Sequence, residues 1–297
     1  MLDLPVSYIE PVFRPPSEGR SFILPVTNGC SWNKCTFCEM YTQPQKKFTT
    51  RPREVVQEEI RETAARFPGI QRVFLADGDA MVLSTARLIE ILQWLNEAFP
   101  QLERISSYCL PRNLNKKSVE DLRLMKALKL SYLYVGAESG DDLVLHKVNK
   151  GETQDSTLAA LLKIREAGLV SSVMILNGLG GRRYSEQHAL NSAKLVNEAQ
   201  PDFLATLVVS FPMGEARFRS GFEDFEPLDQ TGLFREMRTF LAATDLKQTQ
   251  FRSDHASNYL VLKGELGRDR EKLVQTIDTA LNQPGRIPLR QEWQRGL

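Results

Sequence analysis

Short apolar runs and amphipathic helical stretches alternate six times between residues 21 and 243. This alternation constrains the chain more than any other feature, because consecutive strands joined by helices must lie parallel in a sheet covered by those helices. The run "SFILPV" ends in the turn signal Asn28-Gly29. A helix is then predicted from Thr50, with Pro52 in its first turn, Val56, Ile60, Ala64 and Phe67 at helical spacing, and a stop at Pro68-Gly69. "RVFLA" precedes a helix from Ser84 to Phe99 that turns Leu88, Ile89, Leu92 and Leu95 to one side. "RISSYC" precedes Ser118 and Asp121, which have the spacing of a capping box ahead of Leu122, Met125 and Leu128. "YLYVGA" is followed by a helix from Thr153 to Gly168, "SVMIL" by one from Ser185 to Ala199, and "FLATLVV" by one from Thr231 to Ala243.

Crossovers between parallel strands are right-handed, so such a sheet curls in one sense. Six pairs instead of eight predict an α/β fold of the open, partial (β/α)6 TIM-like barrel kind with a C-terminal extension. Its working face would be the loops at the C-terminal ends of the strands. The expected boundaries are an N-terminal extension over 1–19, the barrel over 20–245, and an extension over 246–297 packing on the barrel. That last part reads as an extended segment, a polar loop and a helix from Arg268 to Asn282.

The 297 residues suffice for a large core without metals or disulfides. With 38 Lys plus Arg against 37 Asp plus Glu, the net charge of +1 predicts neither nonspecific nucleic-acid binding nor attraction to a membrane surface. A small-molecule substrate fits better. No stretch reaches the roughly 18 uninterrupted apolar residues of a membrane helix, and no basic segment followed by an apolar run opens the chain. The expected location is the cytoplasm, where thiols stay reduced.

Three of the four cysteines, Cys30, Cys35 and Cys38, crowd into "CSWNKCTFC" directly after the first strand. Thiolates suit zinc and iron–sulfur clusters. A structural zinc site normally takes four protein ligands, and the remaining candidates, Cys109, His146, His188 and His255, are all far along the chain. A [4Fe–4S] cluster on three cysteines would leave one iron without a protein ligand. The competing reading is a regulatory or redox-sensing protein that holds zinc or an iron–sulfur cluster and cleaves nothing.

A cysteine triad after the first strand of a six-fold strand and helix repeat resembles the radical S-adenosylmethionine (radical SAM) superfamily. The common spacing there has three residues between the first two cysteines, whereas this chain has four, which marks a subfamily. "GAESG" continuing into "DDLVLHKVNKG" is similar to the coproporphyrinogen-oxidase-like and methylthiotransferase-like branches. The resemblance covers about residues 20 to 210. It implies a [4Fe–4S] cluster on Cys30, Cys35 and Cys38 and S-adenosylmethionine (SAM) on its open iron. It also implies reductive cleavage to a 5′-deoxyadenosyl radical that abstracts hydrogen from substrate, and a one-electron donor such as flavodoxin or ferredoxin. By the same resemblance Phe37 is placed against the adenine, Asp77, Gly78 and Asp79 of "ADGDA" near the methionine amino group, Glu138 and Ser139 as polar SAM ligands, and Asn177 and Gly178 near the adenosine. No cobalamin-binding, RNA-binding or second-cluster segment is expected within the chain.

Three further residues are candidates for catalysis: Cys109 at the end of the third strand, and His255 and Tyr259 in the polar loop "FRSDHASNY". Cys109 also reads as a small buried apolar residue. His146 and His188 are expected on helix surfaces. Phe211, Phe218, Phe222 and Phe225 are expected to anchor the long loop after the sixth strand, because no basic stripe accompanies them.

Overall fold

The computed structural model describes residues 4–295. The chain forms two compact units, the first built from residues up to Asn33, Cys38–Val135 and Lys163–Ser171, the second from Lys34–Phe37, Gly136–Leu162 and residues from Ser172 onward.

In the first unit, β1 (Phe22–Pro25) leads into β2 (Thr27–Asn28), which pairs antiparallel with β3 (Thr49–Thr50). After α1 (Arg53–Arg66) the alternation runs through β4 (Arg72–Ala76), α2 (Thr85–Ala98), β5 (Arg104–Tyr108), α3 (Val119–Ala127) and β6 (Leu130–Glu138). β4 lies between β1 and β5, β5 lies between β4 and β6, and every one of these pairs is parallel. Helix α2 buries Leu88, Ile91, Leu92 and Leu95. Ile91, not Ile89, completes the stripe, because positions 88, 91, 92 and 95 share one face of a 3.6-residue repeat. The N-terminal segment packs Tyr8 and Val12 against Ile23, Phe74 and Ala76, and the Tyr8 hydroxyl donates to the Ile23 carbonyl at 2.8 Å.

The capping box expected ahead of α3 is present. Ser118 Oγ accepts from the Asp121 amide at 3.0 Å, and the Asp121 carboxylate accepts from the Ser118 amide at 2.9 Å. Ser118→Ala is expected to lower stability by about 1 kcal/mol in urea melts, the usual effect of deleting such a cap.

The second unit takes up the chain at the last three residues of β6. It holds α4 (Asp142–Lys147), most of α5 (Gln154–Glu166), β7 (Val170–Asn177) from Ser172, α6 (Gly181–Ala199), β8 (Phe203–Val208), α7 (Ala216–Arg219), α8 (Gln230–Ala242), β9 (Gln250–Ser253), β10 (Leu262–Glu265) and α9 (Leu266–Asn282). β7, β8 and β9 are parallel neighbours, and β10 returns antiparallel along β9. The expected pairs are all present, with four departures. α4, α7 and β10 are not among the expected elements: each is a short element whose residues also read as loop. α6 begins at Gly181 instead of Ser185, because Gly178 and Gly181 take positive φ (86° and 59°) and bring the chain into the helix one turn early. Phe218, Phe222 and Phe225 form a buried cluster with Val144 and Val148, as expected of loop anchors. No described helix is long and apolar enough to cross a membrane.

Candidate active site

In the first unit, the residues leading into Cys30 are tied to the segment after Cys38; Cys35 belongs to the second unit. Asn28 Nδ2 donates to the Gln45 carbonyl at 2.7 Å and the Lys47 carbonyl at 3.1 Å, and Gly29 stands at φ +70° where a Cβ would come within 2.0 Å of the Lys46 carbonyl oxygen. Only glycine permits so close an approach in the left-handed region. Cys35 and Cys109 are buried, while Cys30 and Cys38 are partly exposed. The lengthened first gap is accommodated at Asn33, which takes φ +40° and donates from Nδ2 to the Tyr41 carbonyl at 2.7 Å. The ring of Trp32, in the same gap, lies 3.9 Å from the Arg112 guanidinium.

The turn after β4 touches this loop. Asp77 is buried and forms an ion pair with fully buried Lys46, whose ammonium also donates to the Ile9 carbonyl at 2.6 Å. The Gly78 amide donates to Asp77 Oδ1 at 2.8 Å. A Cβ on Gly78 would lie 2.7 Å from the Gly29 carbonyl oxygen, so this position needs glycine to bring the turn against the start of the cysteine loop. Asp79 is wholly buried and accepts a hydrogen bond from the Ser31 hydroxyl. Burial pushes its carboxyl up, against the opposing pull of Ser31, Asn113 and Arg112. Burial likewise pushes the Lys117 amino group down, although Cys109, Asp79 and Asp121 pull it up; it donates to the carbonyls of Met81, Leu83 and Asn113. Cys109 is 2 % exposed and its thiol points to the Leu110 carbonyl at 3.4 Å, the environment of a small buried side chain.

In the second unit, β6 ends on Glu138, which takes φ +66°. A Cβ on Gly136 would come within 2.1 Å of Glu138 Oε1, so the carboxylate folds back over a glycine. Lys150 Nζ lies 3.1 Å from that oxygen, and both side chains are buried. Glu138 Oε2 is buried with no hydrogen-bond partner. An orphaned buried carboxylate oxygen is costly, which points to a ligand donor. Lys150 also stands 5.8 Å from the centre of the Phe37 ring. Phe37 packs on the phenylalanine cluster, and its segment is held by a hydrogen bond from the Thr36 amide to the Val148 carbonyl at 2.9 Å and by Arg217 on the Cys35 carbonyl at 3.1 Å. Lys150 was not anticipated from sequence, because a lysine in "VNKG" reads as a solvated turn.

Ser139 has no exposed surface, and its Oγ lies 2.7 Å from His188 Nδ1. His188 is therefore a correction to the expected surface position: it is 1 % exposed. The spacing held the signal, since His188, Ser192, Leu195 and Ala199 form the buried stripe of α6. Asn177 Nδ2 donates to the Leu233 carbonyl at 3.3 Å, and the Gly178 amide donates to Glu236 Oε1 at 2.5 Å. Burial pushes the Glu236 carboxyl up, opposed by His188, Ser185 and the Gly178 amide. His146 is exposed on α4, as expected.

His255 and Tyr259 sit in the loop after β9. His255 Nδ1 accepts from the Ser257 amide at 3.1 Å, and the Tyr259 hydroxyl donates to Glu292 Oε2 at 2.7 Å beneath the Arg295 guanidinium. Arg290 donates to the carbonyls of Asp254, His255 and Asn258, so the C-terminal segment ties this loop down. Among the described residues no three His, Cys, Asp or Glu side chains are drawn together as a metal site.

Residues 24–196 match the family profile described as the Radical SAM superfamily. The chain is 21 % identical over 168 residues to the heme chaperone HemW of Bacillus subtilis, covering 54 % of this chain and 43 % of that protein. It is 26 % identical over 216 residues to the tRNA-2-methylthio-N(6)-dimethylallyladenosine synthase of Desulfosudis oleivorans, covering 70 % of this chain and 44 % of that one. This chain thus spans less than half the length of either relative. Among solved structures it is similar to coproporphyrinogen III oxidase (HemN) from Escherichia coli, with a TM-score of 0.54 at 16 % identity over 75 % of this chain and 52 % of that one. That likeness is one of fold, and it bears out the expected α/β class of the open, partial-barrel type.

Proposed function

The chain belongs to the radical SAM superfamily, and from that premise we propose that it is an enzyme that cleaves SAM reductively and acts on a small-molecule substrate. The observation that carries this reading is the cysteine segment: three cysteines within nine residues, with Asn28 just before them bound to the Gln45 and Lys47 carbonyls just after them. This donor set fits a [4Fe–4S] cluster, because soft thiolates hold iron–sulfur centres and three of them leave one iron open. When bound, such a cluster would supply the one-electron reduction by which SAM is cleaved and hydrogen is removed from substrate.

Cys30, Cys35 and Cys38 would hold the cluster. Glu138, with its unpaired oxygen, would accept from a polar group of SAM, and the Phe37 ring offers a face for the adenine. Lys150 offsets the charge of Glu138 and holds its Oε1, leaving Oε2 for the ligand. Asp77 already holds Lys46 and Gly78, so its part is to shape the turn that places Gly78, whose backbone stays close to the cysteine loop, while Asp79 holds Ser31 through one oxygen and its Oδ1, buried without a hydrogen-bond partner, would be open to the methionine amino group. Asn177 and Gly178 would line the adenosine side. The electron donor would be a flavodoxin or ferredoxin, the compartment a reducing cytoplasm, and the catalytic part residues 20–245, with 246–297 as an extension. The near-neutral charge supports a small substrate over a nucleic acid.

Anaerobic reconstitution with iron and sulfide tests this. The expected protein is brown and, when reduced with SAM, releases 5′-deoxyadenosine and methionine. A colourless, zinc-loaded protein from a strictly anaerobic preparation, releasing neither product, would refute the proposal in favour of a metal-binding regulator.

A further inference from the structure

Resting on the role proposed above for Glu138 and Gly178, we infer that His188 and Glu236 are positioning residues, which lock the ends of β6 and β7 and thereby set the affinity for SAM. Both are almost wholly buried, and they approach each other inside the second unit, with His188 Nε2 3.8 Å from Glu236 Oε1. Neither is used by the cofactor contacts proposed above.

The hydrogen-bond polarity follows from the partners. His188 Nε2 is 3.0 Å from the Leu176 carbonyl, which can only accept, so Nε2 carries the hydrogen. In the uncharged ring Nδ1 then accepts, and the Ser139 hydroxyl 2.7 Å away is its donor. Ser139 Oγ in turn accepts from the Asp141 amide at 2.9 Å. The hydroxyl is therefore engaged on both sides by protein, and it fixes the residue next to Glu138, where the backbone is left-handed. Ser139 thus acts through its neighbour and not as a ligand.

Glu236 does the same for β7. Its Oε1 accepts from the Gly178 amide at 2.5 Å and its Oε2 from the Ser185 hydroxyl at 2.6 Å, while Leu233, one turn earlier on α8, accepts from Asn177. Beside Glu236 and His188 lies a cavity of about 10 Å³, walled also by Asn177, Ser192 and Thr206. It has room for no more than about one water, so neither side chain has space to touch a substrate. Their influence must pass through the two strand ends.

The test measures SAM affinity of cluster-loaded protein by equilibrium dialysis, together with the change SAM makes in the electron paramagnetic resonance signal of the reduced cluster. Ser139→Ala and His188→Gln are each expected to weaken SAM binding about tenfold, the usual effect of one lost buried hydrogen bond. The double variant should be weakened by less than the product of the two single effects, because the two side chains share a contact. His188→Asn, whose amide can still accept from Ser139, should recover most of the affinity. Glu236→Gln should lower affinity similarly, with cluster iron unchanged. A lowered melting midpoint with unaltered SAM affinity in Ser139→Ala and His188→Gln would mark a role in stability alone and overturn the inference. Should His188→Gln not fold, Ser139→Ala decides, since it removes one hydroxyl. A wild-type protein that loads its cluster yet binds no SAM would instead overturn the underlying site assignment, and this inference with it.

Discussion

Cys35→Ser is expected to abolish cluster loading and SAM cleavage while leaving the fold intact. The backbone at Cys35 is held without any metal: its carbonyl accepts from Arg217 at 3.1 Å, and the next amide donates to Val148 at 2.9 Å. Serine keeps that backbone and the side-chain size. It replaces a soft donor that ionises readily with a hydroxyl that stays protonated at neutral pH, so one of three cluster attachments is lost. Losing only an outer partner of a metal site costs roughly 10–100-fold. Loss of a direct ligand should exceed that, taking 5′-deoxyadenosine release below detection. Iron analysis and product release after anaerobic reconstitution measure both quantities, and circular dichroism measures the fold. Cys109→Ala is the control, because Cys109 is buried beside the Leu110 carbonyl, outside the cysteine loop; it should keep its iron. If Cys35→Ser kept full iron and turnover, the three-thiol assignment would be wrong.

The parts of this molecule that were legible in the sequence are those decided locally. "RVFLA" became β4 residue for residue, because a short apolar run between turn signals has few alternatives. The Ser118–Asp121 capping box formed as expected, because its partners lie within one turn. The same holds for Gly168 at positive φ after α5. What was not legible depends on partners distant in the chain. Lys46 in "PQKKF" reads as solvated, yet it is fully buried because Asp77 and the Ile9 carbonyl come to it from elsewhere. Lys150 and Glu236 are further charged residues of this kind, buried only because of what faces them. His188 is the case between: it shares the stripe spacing of Ser192, Leu195 and Ala199, but a histidine there reads equally as a surface residue until Ser139 and the Leu176 carbonyl come to it from elsewhere. Charge, unlike hydrophobic periodicity, carries no local mark of burial, because a lysine is buried only where another part of the chain supplies its counter-charge.

Lys46→Met is expected to produce the largest loss of stability of any single change in the first unit outside its apolar core. The substitution fills nearly the same space, so no cavity term enters. It removes the counter-charge of Asp77, which is 2 % exposed, and leaves the Gly78 amide as the partner of that carboxylate. Breaking a buried ion pair from one side costs about 3–5 kcal/mol, because the remaining charge is stranded away from water. Urea melts of the cluster-free protein measure this. Lys46→Met combined with Asp77→Asn should recover a large part of the loss, since an amide carries no charge to strand and can still accept from Gly78. A single variant within about 1 kcal/mol of wild type would show that the pair does not hold this turn, the range typical of exposed ion pairs. The consequence reaches the cysteines. Asp77 holds Gly78, Gly78 lies against the Gly29 carbonyl, and Gly29 precedes Cys30. Lys46→Met should therefore load less iron than wild type even at temperatures where it is folded, and the double variant should regain iron along with stability. Recovery of stability without recovery of iron would separate the two, and would mean that the charge of Asp77 itself is required at the cysteine loop.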